Sequence, residues 1–538
     1  MNAAPLDLLV GGAGPAGLTL ALQAAAHGAS VRVVERRADP ARPSRALVVH
    51  PRTLEVLRPL GVTDELLARG DPAPAIRLHL GRREVEARLG AFPLEDTAFP
   101  FLLFVSQSAV EEVLAGALAR QGVEVERGVE LTDVADCTGT AVARIRRGSV
   151  AEFVDCRYLA GCDGASSRVR AELGVAWRGA PYREEVVLAD LELAGGLEAG
   201  QSHAAAARSG VVFVFALGEG APWRLLATRP AGPDRGRPGQ PLGPVRSEEL
   251  QAILDGAGLG AAVTAVRWSA RVPLEHRLAS RYRLGPAFLV GDAAHVHSPA
   301  GGQGMNTGIQ DAANLGWKLA FAAAAPAGDP AADALLATYE VERRPVGRRV
   351  LALTHLLFWA EAGQDPVASS VRGSLVPLAA PAVPFLLRRR RVLGAGVRVL
   401  SQLGLRYRHS PLSVDGVHQR RGAPRPGDRL PDATVTVDGR RRELHELLAH
   451  PGVHLLLERD APPAGGLAVP PRVAVPPGVA VHRLTDRPGR GALLVRPDGY
   501  IGLRSATGDP VEIGAWLARA ALTGASRAPW VGPSPPLA

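Results

Sequence analysis

The chain has 538 residues, of which 46% are hydrophobic and 21% are charged. This balance predicts a soluble globular protein of about two or three domains with a sizeable core. The formal net charge of +9 would suit a nucleic-acid partner, but the arginines are scattered along the chain, whereas phosphate recognition needs them clustered on one face. We therefore expect no nucleic-acid partner.

The cysteines and the apolar N-terminal stretch point to a reducing compartment. Cys137, Cys156 and Cys162 are the only cysteines, and they form no C-x-x-C pair, so we expect no metal site. The stretch from Leu6 to Ala26 lacks the basic start of a secretion signal, and no other segment is long and apolar enough to cross a bilayer. The chain is predicted to be cytoplasmic, without a membrane partner.

The first predicted element is a buried strand over Leu6–Val10, which runs into the G-x-G-x-x-G turn at residues 12–17. A helix from Leu18 to His27 and a strand over Val31–Val34 follow, and the strand ends at Glu35. In this unit the glycines admit a tight turn and a pyrophosphate, the helix N-terminus attracts the phosphates, and the acid accepts hydrogen bonds from a ribose. The unit predicts a dinucleotide site without choosing between NAD and FAD. Its assigned residues are Gly12, Gly14, Pro15, Ala16, Gly17, Glu35 and Arg36.

Two later stretches add to this unit. Residues 158–170 suggest a strand end, an Asp-Gly turn at Asp163 and a helix start, which alone would indicate only a turn. The strand predicted over Ala287–Val290 delivers Asp292 at its carboxyl end, where ligands bind in open α/β sheets. A glycine-rich loop then opens a helix with apolar residues on one face.

Taken together, G-x-G-x-x-G from Gly12, D-G-x-x-S-x-x-R from Asp163 and G-D-A-A-H-x-x-x-P-x-x-G-Q-G-x-N from Gly291 resemble the para-hydroxybenzoate hydroxylase superfamily. These are single-component FAD-dependent aromatic monooxygenases. The resemblance extends to about residue 360, and the third motif is highly specific. Within the family, the chain looks most like the phenol and aromatic-polyketide hydroxylases of bacterial secondary metabolism, including antibiotic biosynthesis.

The resemblance implies non-covalent FAD and assigns further residues to it. Asp292 would hold the ribityl chain, Arg45 and Gln107 would touch the cofactor, and Asp163 would serve both FAD and NAD(P)H. The loop from Gly301 would present N–H groups to the flavin edge that becomes negative on reduction. Its assigned residues are Gly302, Gly304, Met305 and Asn306.

No catalytic side chain is certain from the sequence. Pro299 and Arg45 are expected near the flavin ring. His295 and His297 resemble catalytic bases, but the first is mainly structural in the family, and His50 is undecided.

The resemblance also divides the α/β chain into domains. Residues 1–72, 104–176 and 274–362 would form a discontinuous Rossmann-like FAD-binding domain, interleaved with an antiparallel substrate domain of residues 73–103 and 177–273. A helical linker at 363–405, which contains the solvated run Arg388–Arg391, would lead to a thioredoxin-like domain at 406–538 without C-x-x-C. That domain is expected to be catalytically passive, so a chain ending near Gly404 should keep FAD.

The substrate domain has only weak candidates for lining a pocket. Strands are expected over Val186–Ala189, Val211–Phe215 and Trp223–Leu226. The aromatic residues that could line the pocket, although core packing is the simpler interpretation for each, are Trp177, Tyr182, Phe213 and Phe215. No arginine clamp for a substrate carboxylate is evident.

The resemblance implies a reaction. With no second G-x-G-x-x-G, NAD(P)H would dock transiently and reduce the flavin, which would form a C4a-hydroperoxide with dioxygen and hydroxylate an aromatic or polyketide-type substrate. The protein would orient the substrate and exclude water. Baeyer–Villiger oxidation or epoxidation would use the same motifs, and a non-catalytic flavin-loaded binding protein is the alternative outside enzymes. A homodimer is left open.

Overall fold

The computed structural model describes residues 6–40, 46–81, 83–137, 139–207, 210–216, 220–232, 236, 241–363, 365–370, 380–382, 385, 389–416, 424–462 and 479–522. Within these residues the chain forms two sheets of eight strands, one of seven and a two-stranded ribbon. The strands are β1 (Leu6–Gly11), β2 (Val31–Glu35), β3 (Val48–Val49), β4 (Ala75–Leu80), β5 (Arg83–Arg88), β6 (Leu103–Phe104), β7 (Val125–Arg127), β8 (Val129–Asp136), β9 (Ala141–Arg147), β10 (Val150–Gly161), β11 (Trp177–Gly195), β12 (Ser202–Ala207), β13 (Gly210–Phe215), β14 (Trp223–Pro230), β15 (Ala261–Ala279), β16 (Arg283–Leu284), β17 (Ala287–Leu289), β18 (His295–Val296), β19 (Val414–Asp415), β20 (Thr434–Val437), β21 (Arg440–Glu443), β22 (Val453–Glu458), β23 (Val479–Leu484), β24 (Ala492–Val495) and β25 (Ile501–Ser505).

The α-helices of the described residues are α1 (Pro15–Ala26), α2 (Pro51–Leu57), α3 (Thr63–Arg69), α4 (Gln107–Arg120), α5 (Arg168–Glu172), α6 (Ser247–Gly256), α7 (Gln303–Ala324), α8 (Pro330–Ala362), α9 (Pro366–Ser370), α10 (Arg390–Leu400), α11 (Leu444–Leu447) and α12 (Pro510–Arg519). Short 3-10 turns occur at Arg58–Leu60, Gly291–Ala293, Ala300–Gly302 and Ala380–Ala382. No helix among the described residues is long and apolar enough to span a membrane.

The first sheet carries the predicted dinucleotide unit. Its order is β16-β17-β10-β1-β2-β7, with β9 and β8 added beyond β10, and the strands from β17 to β7 run parallel. Strand β1 is almost fully buried, as expected where helices cover a parallel sheet. The predicted Rossmann-like sheet is therefore confirmed. Helix α1 begins at Pro15 rather than Leu18, because proline is preset for the first helical position.

The second sheet packs beside the first in the order β18-β15-β11-β14-β13-β12-β4-β5. Its pairs are antiparallel except for β12 with β4, which run parallel. Helix α6 covers its outer face through an apolar cluster. The predicted antiparallel substrate sheet is confirmed in outline, whereas the exact domain boundaries stay predictions.

The C-terminal sheet has the order β19-β25-β24-β22-β23-β20-β21, with parallel pairing at β19–β25 and β22–β23 and antiparallel pairing elsewhere. In the predicted linker, the structure describes α9, a 3-10 turn and α10, while Arg388 lies outside the described residues. Arg389 and Arg391 are exposed.

A fully buried carboxylate joins the C-terminal sheet to the helices of the first sheet. Glu342 on α8 accepts hydrogen bonds from both terminal nitrogens of Arg496 at 2.7 and 2.8 Å and from Lys318 Nζ on α7 at 2.8 Å. Burial alone would raise the pKa of Glu342, but the charges of Arg496 and Lys318 hold that pKa far below its ordinary value. Arg496 is paired in addition with Asp498.

A second cluster of buried charges also joins the C-terminal region to the helices of the first sheet. Arg52 on α2 pairs with Glu55 at 2.9 Å and donates to the backbone oxygen of Asp498 at 2.5 Å. Arg429 also pairs with Glu55, at 2.9 Å, and it bonds to Asp96 as well. Removing one partner of a buried pair leaves an uncompensated charge. A chain ending near Gly404 would lose these pairs and so be less stable, while the expectation that it keeps FAD stays a prediction.

We predict that Arg496→Met lowers the free energy of unfolding by about 3–5 kcal/mol, because it leaves Glu342 and Asp498 buried with too little positive charge. The check is the urea unfolding curve of the full chain. Arg146→Met is the matched control, because it breaks the half-exposed pair with Glu130, and exposed pairs contribute little to stability. Equal unfolding midpoints for Arg496→Met and the unaltered chain would contradict the prediction.

Candidate active site

The predicted cofactor residues meet at one edge of the first sheet. Strands β1, β2, β10 and β17 are parallel, and Gly11 lies in register with Val34 and Gly161, which is itself in register with Leu289. Their carboxyl ends therefore bring together the turn from Gly12, Glu35, Asp163 and Asp292. This edge is where ligands bind in open α/β sheets.

The turn between β1 and α1 has the shape of a phosphate cradle. Gly12 has φ of +104°, and a Cβ there would lie 2.4 Å from the backbone oxygen of Cys162. A Cβ on Gly17 would lie 2.0 Å from the oxygen of Gly12, whereas no atom lies within 4 Å of a Cβ on Gly14. Backbone atoms therefore pack closely against Gly12 and Gly17, whereas the space beside Gly14 is open. A ligand in that space would meet the N–H groups at the start of α1. These residues fit a dinucleotide.

Glu35 closes the turn from the second strand. Its side chain is buried, and Oε2 accepts a hydrogen bond from the N–H of Ala13 at 2.9 Å, while Oε1 accepts from the N–H of Arg37 at 3.0 Å. Burial would raise the pKa of Glu35, but these hydrogen bonds and the Arg37 charge lower it below its ordinary value. The group is a carboxylate with lone pairs left for ribose hydroxyls. Arg36 is exposed beside it.

Only one of the two carboxylate oxygens of Asp163 accepts hydrogen bonds in the structure. One carboxylate oxygen accepts from the N–H groups of Arg168 at 2.6 Å and Val169 at 3.1 Å. The other, Oδ1, is buried without a hydrogen-bond partner, and burial raises the pKa of the group. An unpaired buried oxygen is costly unless a ligand satisfies it, which fits the predicted contact with a cofactor.

The loop from Pro299 turns sharply into α7. Gly301 and Gly302 have φ of +70° and +62°, so α7 starts abruptly at Gln303. The side chain of Asn306 accepts from the N–H of His50 at 2.9 Å and donates to the oxygens of Val48 and Gly302 at 2.9 and 2.7 Å. Asn306 thus ties the loop to β3 and α2, which leaves its backbone, not its side chain, for the cofactor.

The other predicted contacts differ in their surroundings. Asp292 is exposed between the buried residues Gly291 and Ala293, so its carboxylate is accessible at the sheet edge. Gly304 and Met305 are half-buried in the first turn of α7. Gln107 begins α4 and donates to Glu111 at 2.8 Å. Arg45 lies outside the described residues, so its contact with the flavin stays a prediction.

The two histidines that follow Asp292 are engaged within the protein. His295 Nε2 lies 2.7 Å from Asp311 Oδ2, and Asp311 also pairs with Arg343 at 2.6 Å. His297 Nδ1 is bonded to the backbone oxygen of Ser298 at 2.9 Å, and burial lowers the pKa of this histidine to about 4. These contacts favour the structural interpretation for both histidines.

The second sheet turns an apolar face toward this loop. Leu188 on β11 and Phe213 on β13 both lie in register with Leu226 on β14. Two clusters flank Leu226, one containing Ala300 of the loop with Phe358 of α8, and one containing Leu47, Phe104 and the aromatics of β13. The face between β11, β13, β14, the loop and α8 is the candidate substrate face.

The structure places the four aromatic candidates from the sequence in two different regions. Tyr182, Phe213 and Phe215 belong to the two clusters of the candidate substrate face. Trp177 instead packs against the core of the first sheet, with the guanidinium of Arg170 3.9 Å from its ring centroid. The sequence carried no signal for this difference, because strand alternation fixes a face only once the register is known.

Sequence analysis missed the polar groups of the candidate substrate face. His355 Nδ1 lies 3.3 Å from the hydroxyl of Tyr182, and the ring of His276 is 4.9 Å from that of Tyr182. At the other end, Arg224 and Asp190 form a fully buried bidentate pair at 2.7 and 2.6 Å. The two charges of this pair offset each other, so the pair itself adds no net charge to the face.

Comparison with known proteins agrees with this geometry. An FAD binding domain model matches residues 6–354, and an aromatic-ring hydroxylase C-terminal model matches residues 423–533. The 6-methylpretetramide 4-monooxygenase of Streptomyces rimosus is 35% identical over 535 residues, covering 93% of this chain and 91% of the relative.

Two solved structures share the whole architecture. The anhydrotetracycline hydroxylase OxyS of Streptomyces rimosus superposes with a TM-score of 0.74 at 30% identity, covering 96% of this chain and 99% of the other. Aklavinone-11 hydroxylase, in a ternary complex with FAD and aklavinone, has a TM-score of 0.72 at 25% identity, covering 97% and 99%.

We predict that Asp292→Ala loses most of the bound FAD while the fold remains, because Asp292 is exposed at the sheet edge, where its carboxylate would hold the ribityl chain. Flavin absorbance per chain after gel filtration measures occupancy, and circular dichroism reports the fold. Asp255→Ala, at the end of α6 far from the sheet edge, is the control. Unchanged occupancy in Asp292→Ala would remove this residue from the site.

Proposed function

The chain belongs to the FAD-binding aromatic-ring hydroxylases, which are flavin monooxygenases, and from this we propose that it hydroxylates an uncharged polycyclic aromatic or polyketide substrate with NAD(P)H and dioxygen. The observation that carries the proposal is the position of the candidate substrate face. An apolar surface faces the loop that opens α7. A flat multi-ring substrate would lie between the two.

The residues at the sheet edge divide the binding of FAD among them. Gly14 and the start of α1 would take the pyrophosphate, Glu35 the adenosine ribose, and Asp292 the ribityl chain. The first N–H groups of α7 would face the flavin edge and favour negative charge there. When bound and reduced by NAD(P)H, FAD supplies the activation of dioxygen.

The protein's own task is positioning and exclusion of water. The candidate substrate face offers Leu188, Leu226 and Phe213 against the rings of a substrate, and water kept out by such a surface protects a reactive oxidant. Tyr182 and His276 would bond to a hydroxyl or carbonyl oxygen of the substrate.

The class of substrate comes from the relatives. Their names refer to 6-methylpretetramide, anhydrotetracycline and aklavinone, and the apolar candidate substrate face suits multi-ring ligands of this kind. We propose that NAD(P)H docks transiently at Asp163 and leaves. The C-terminal sheet, with its parallel β22–β23 pair flanked by antiparallel strands, supports a thioredoxin-like domain in a structural role.

We predict that NADPH reduces the flavin slowly alone and much faster with the true substrate, and that one oxygen atom is added to a ring carbon. Stopped-flow absorbance over a panel of polycyclic phenols and quinones gives the rates, and NMR of the product gives the position. An oxygen inserted between carbons would indicate Baeyer–Villiger oxidation instead. Reduction at one rate with every compound would count against substrate-gated reduction.

We also predict that Leu226→Ala raises KM for the substrate by about 10-fold or more, because a lost apolar contact is worth about 1–3 kcal/mol in such pockets. Leu225→Ala is the matched control: its side chain lies on the opposite, outer face of β14 and is fully buried under α6. The control should lower the melting temperature and leave KM unchanged. The same change of KM in both variants would contradict the placement of the substrate.

A further inference from the structure

Gln402 has an unfavourable backbone conformation in the interior. Its φ is +60°, in the left-handed region that residues other than glycine rarely adopt, and only 5% of the residue is exposed. Such a conformation persists only where the surroundings determine it, and it is frequent at functional sites. Gln402 lies just beyond the end of α10, where glycine would be the ordinary residue.

The side chain of Gln402 reaches the start of α7. Its Nε2 donates to Gln303 Oε1 and to Thr307 Oγ1, both at 2.8 Å. Gln303 in turn donates to the backbone oxygen of Leu400 at 2.7 Å. The first turn of α7 is therefore joined to the end of α10 by three hydrogen bonds.

Tyr407, a few residues after Gln402, also contacts the start of α7, through Arg343. The hydroxyl of Tyr407 accepts from Arg343 NH1 at 2.7 Å. Arg343 also donates to the backbone oxygen of Thr307 at 3.3 Å and to Asp311 at 2.6 Å. Residues Leu400–Tyr407 therefore hold the start of α7 at two points, directly at Leu400 and through Arg343 at Tyr407.

We propose that Gln402 is a positioning residue for the flavin, acting through the first turn of α7 to set the reduction potential and affinity of the bound FAD. This inference rests on the proposed function, because the proposed function places the flavin edge at the first turn of α7. The unpaired N–H groups of a helix start stabilise negative charge only when they point at it. Gln402 combines this left-handed backbone with an amide that bonds to both Gln303 and Thr307.

The test uses the FAD-loaded full chain and the variant Gln402→Gly. Glycine accepts a positive φ without strain, so the fold should remain, while both amide contacts with α7 are lost. We expect the FAD dissociation constant to rise by about 2–30-fold, the range for coupling through one packed residue. The flavin midpoint potential, measured by dye equilibration without substrate, should become more negative.

Asp438→Gly is the matched control, because Asp438 also has a positive φ, of 51°, in the hairpin between β20 and β21. It should leave both flavin properties unchanged. If Gln402→Gly does not fold, Gln402→Asn serves instead, since asparagine tolerates the left-handed region but is one methylene too short for both contacts, and the same two shifts are expected.

Unchanged potential and affinity in the Gln402 variant, or a loss of thermal stability alone, would overturn the proposal. Because these measurements need no substrate, a failure to find a hydroxylated product would count against the proposed function and leave this result standing.

Discussion

The carboxylate of Glu342 is completely buried, and it must be neutralised by groups from two other parts of the chain. Lys318 comes from α7 and Arg496 from the C-terminal sheet, so neither element can shift without leaving an unpaired charge in the interior. Asn314 on α7 donates to the same carboxylate at 2.7 Å. The direction of α7 is fixed in this way at a distance from the site.

That direction matters because the loop from Pro299, which is proposed to face the flavin, leads directly into the first turn of α7. Farther along the same helix, Asp311 links His295 and Arg343, so the helix is held from the edge of the second sheet as well. The sheet edge with Gly12, Glu35 and Asp163 is defined by parallel strands and by close glycine contacts. The loop, in contrast, depends on two left-handed glycines and on partners distant in sequence.

The chemistry and the specificity of the site therefore have different origins. The cofactor carries the reaction, and the residues proposed to hold it belong to the first sheet and to α7. The substrate would contact mainly the second sheet, where apolar residues can change without disturbing the cofactor. This separation is consistent with relatives of the same architecture whose names refer to different ring systems.

The sequence by itself determined the dinucleotide unit and the family, because three motifs occur together in one order and the third of them is highly specific. It also predicted the central strands and the start of α7, since these are local patterns of apolar residues and glycine. Glu35, Asp163 and Asp292 could be placed at one edge because the carboxyl ends of parallel strands coincide.

Tertiary structure alone decided the contacts between residues distant in the chain. The pairing of Glu342 with Arg496 and the contact of Gln402 with Thr307 leave no mark in local composition. Which aromatic residues line the candidate substrate face depended on strand register, because a shift of one residue would reverse every side chain.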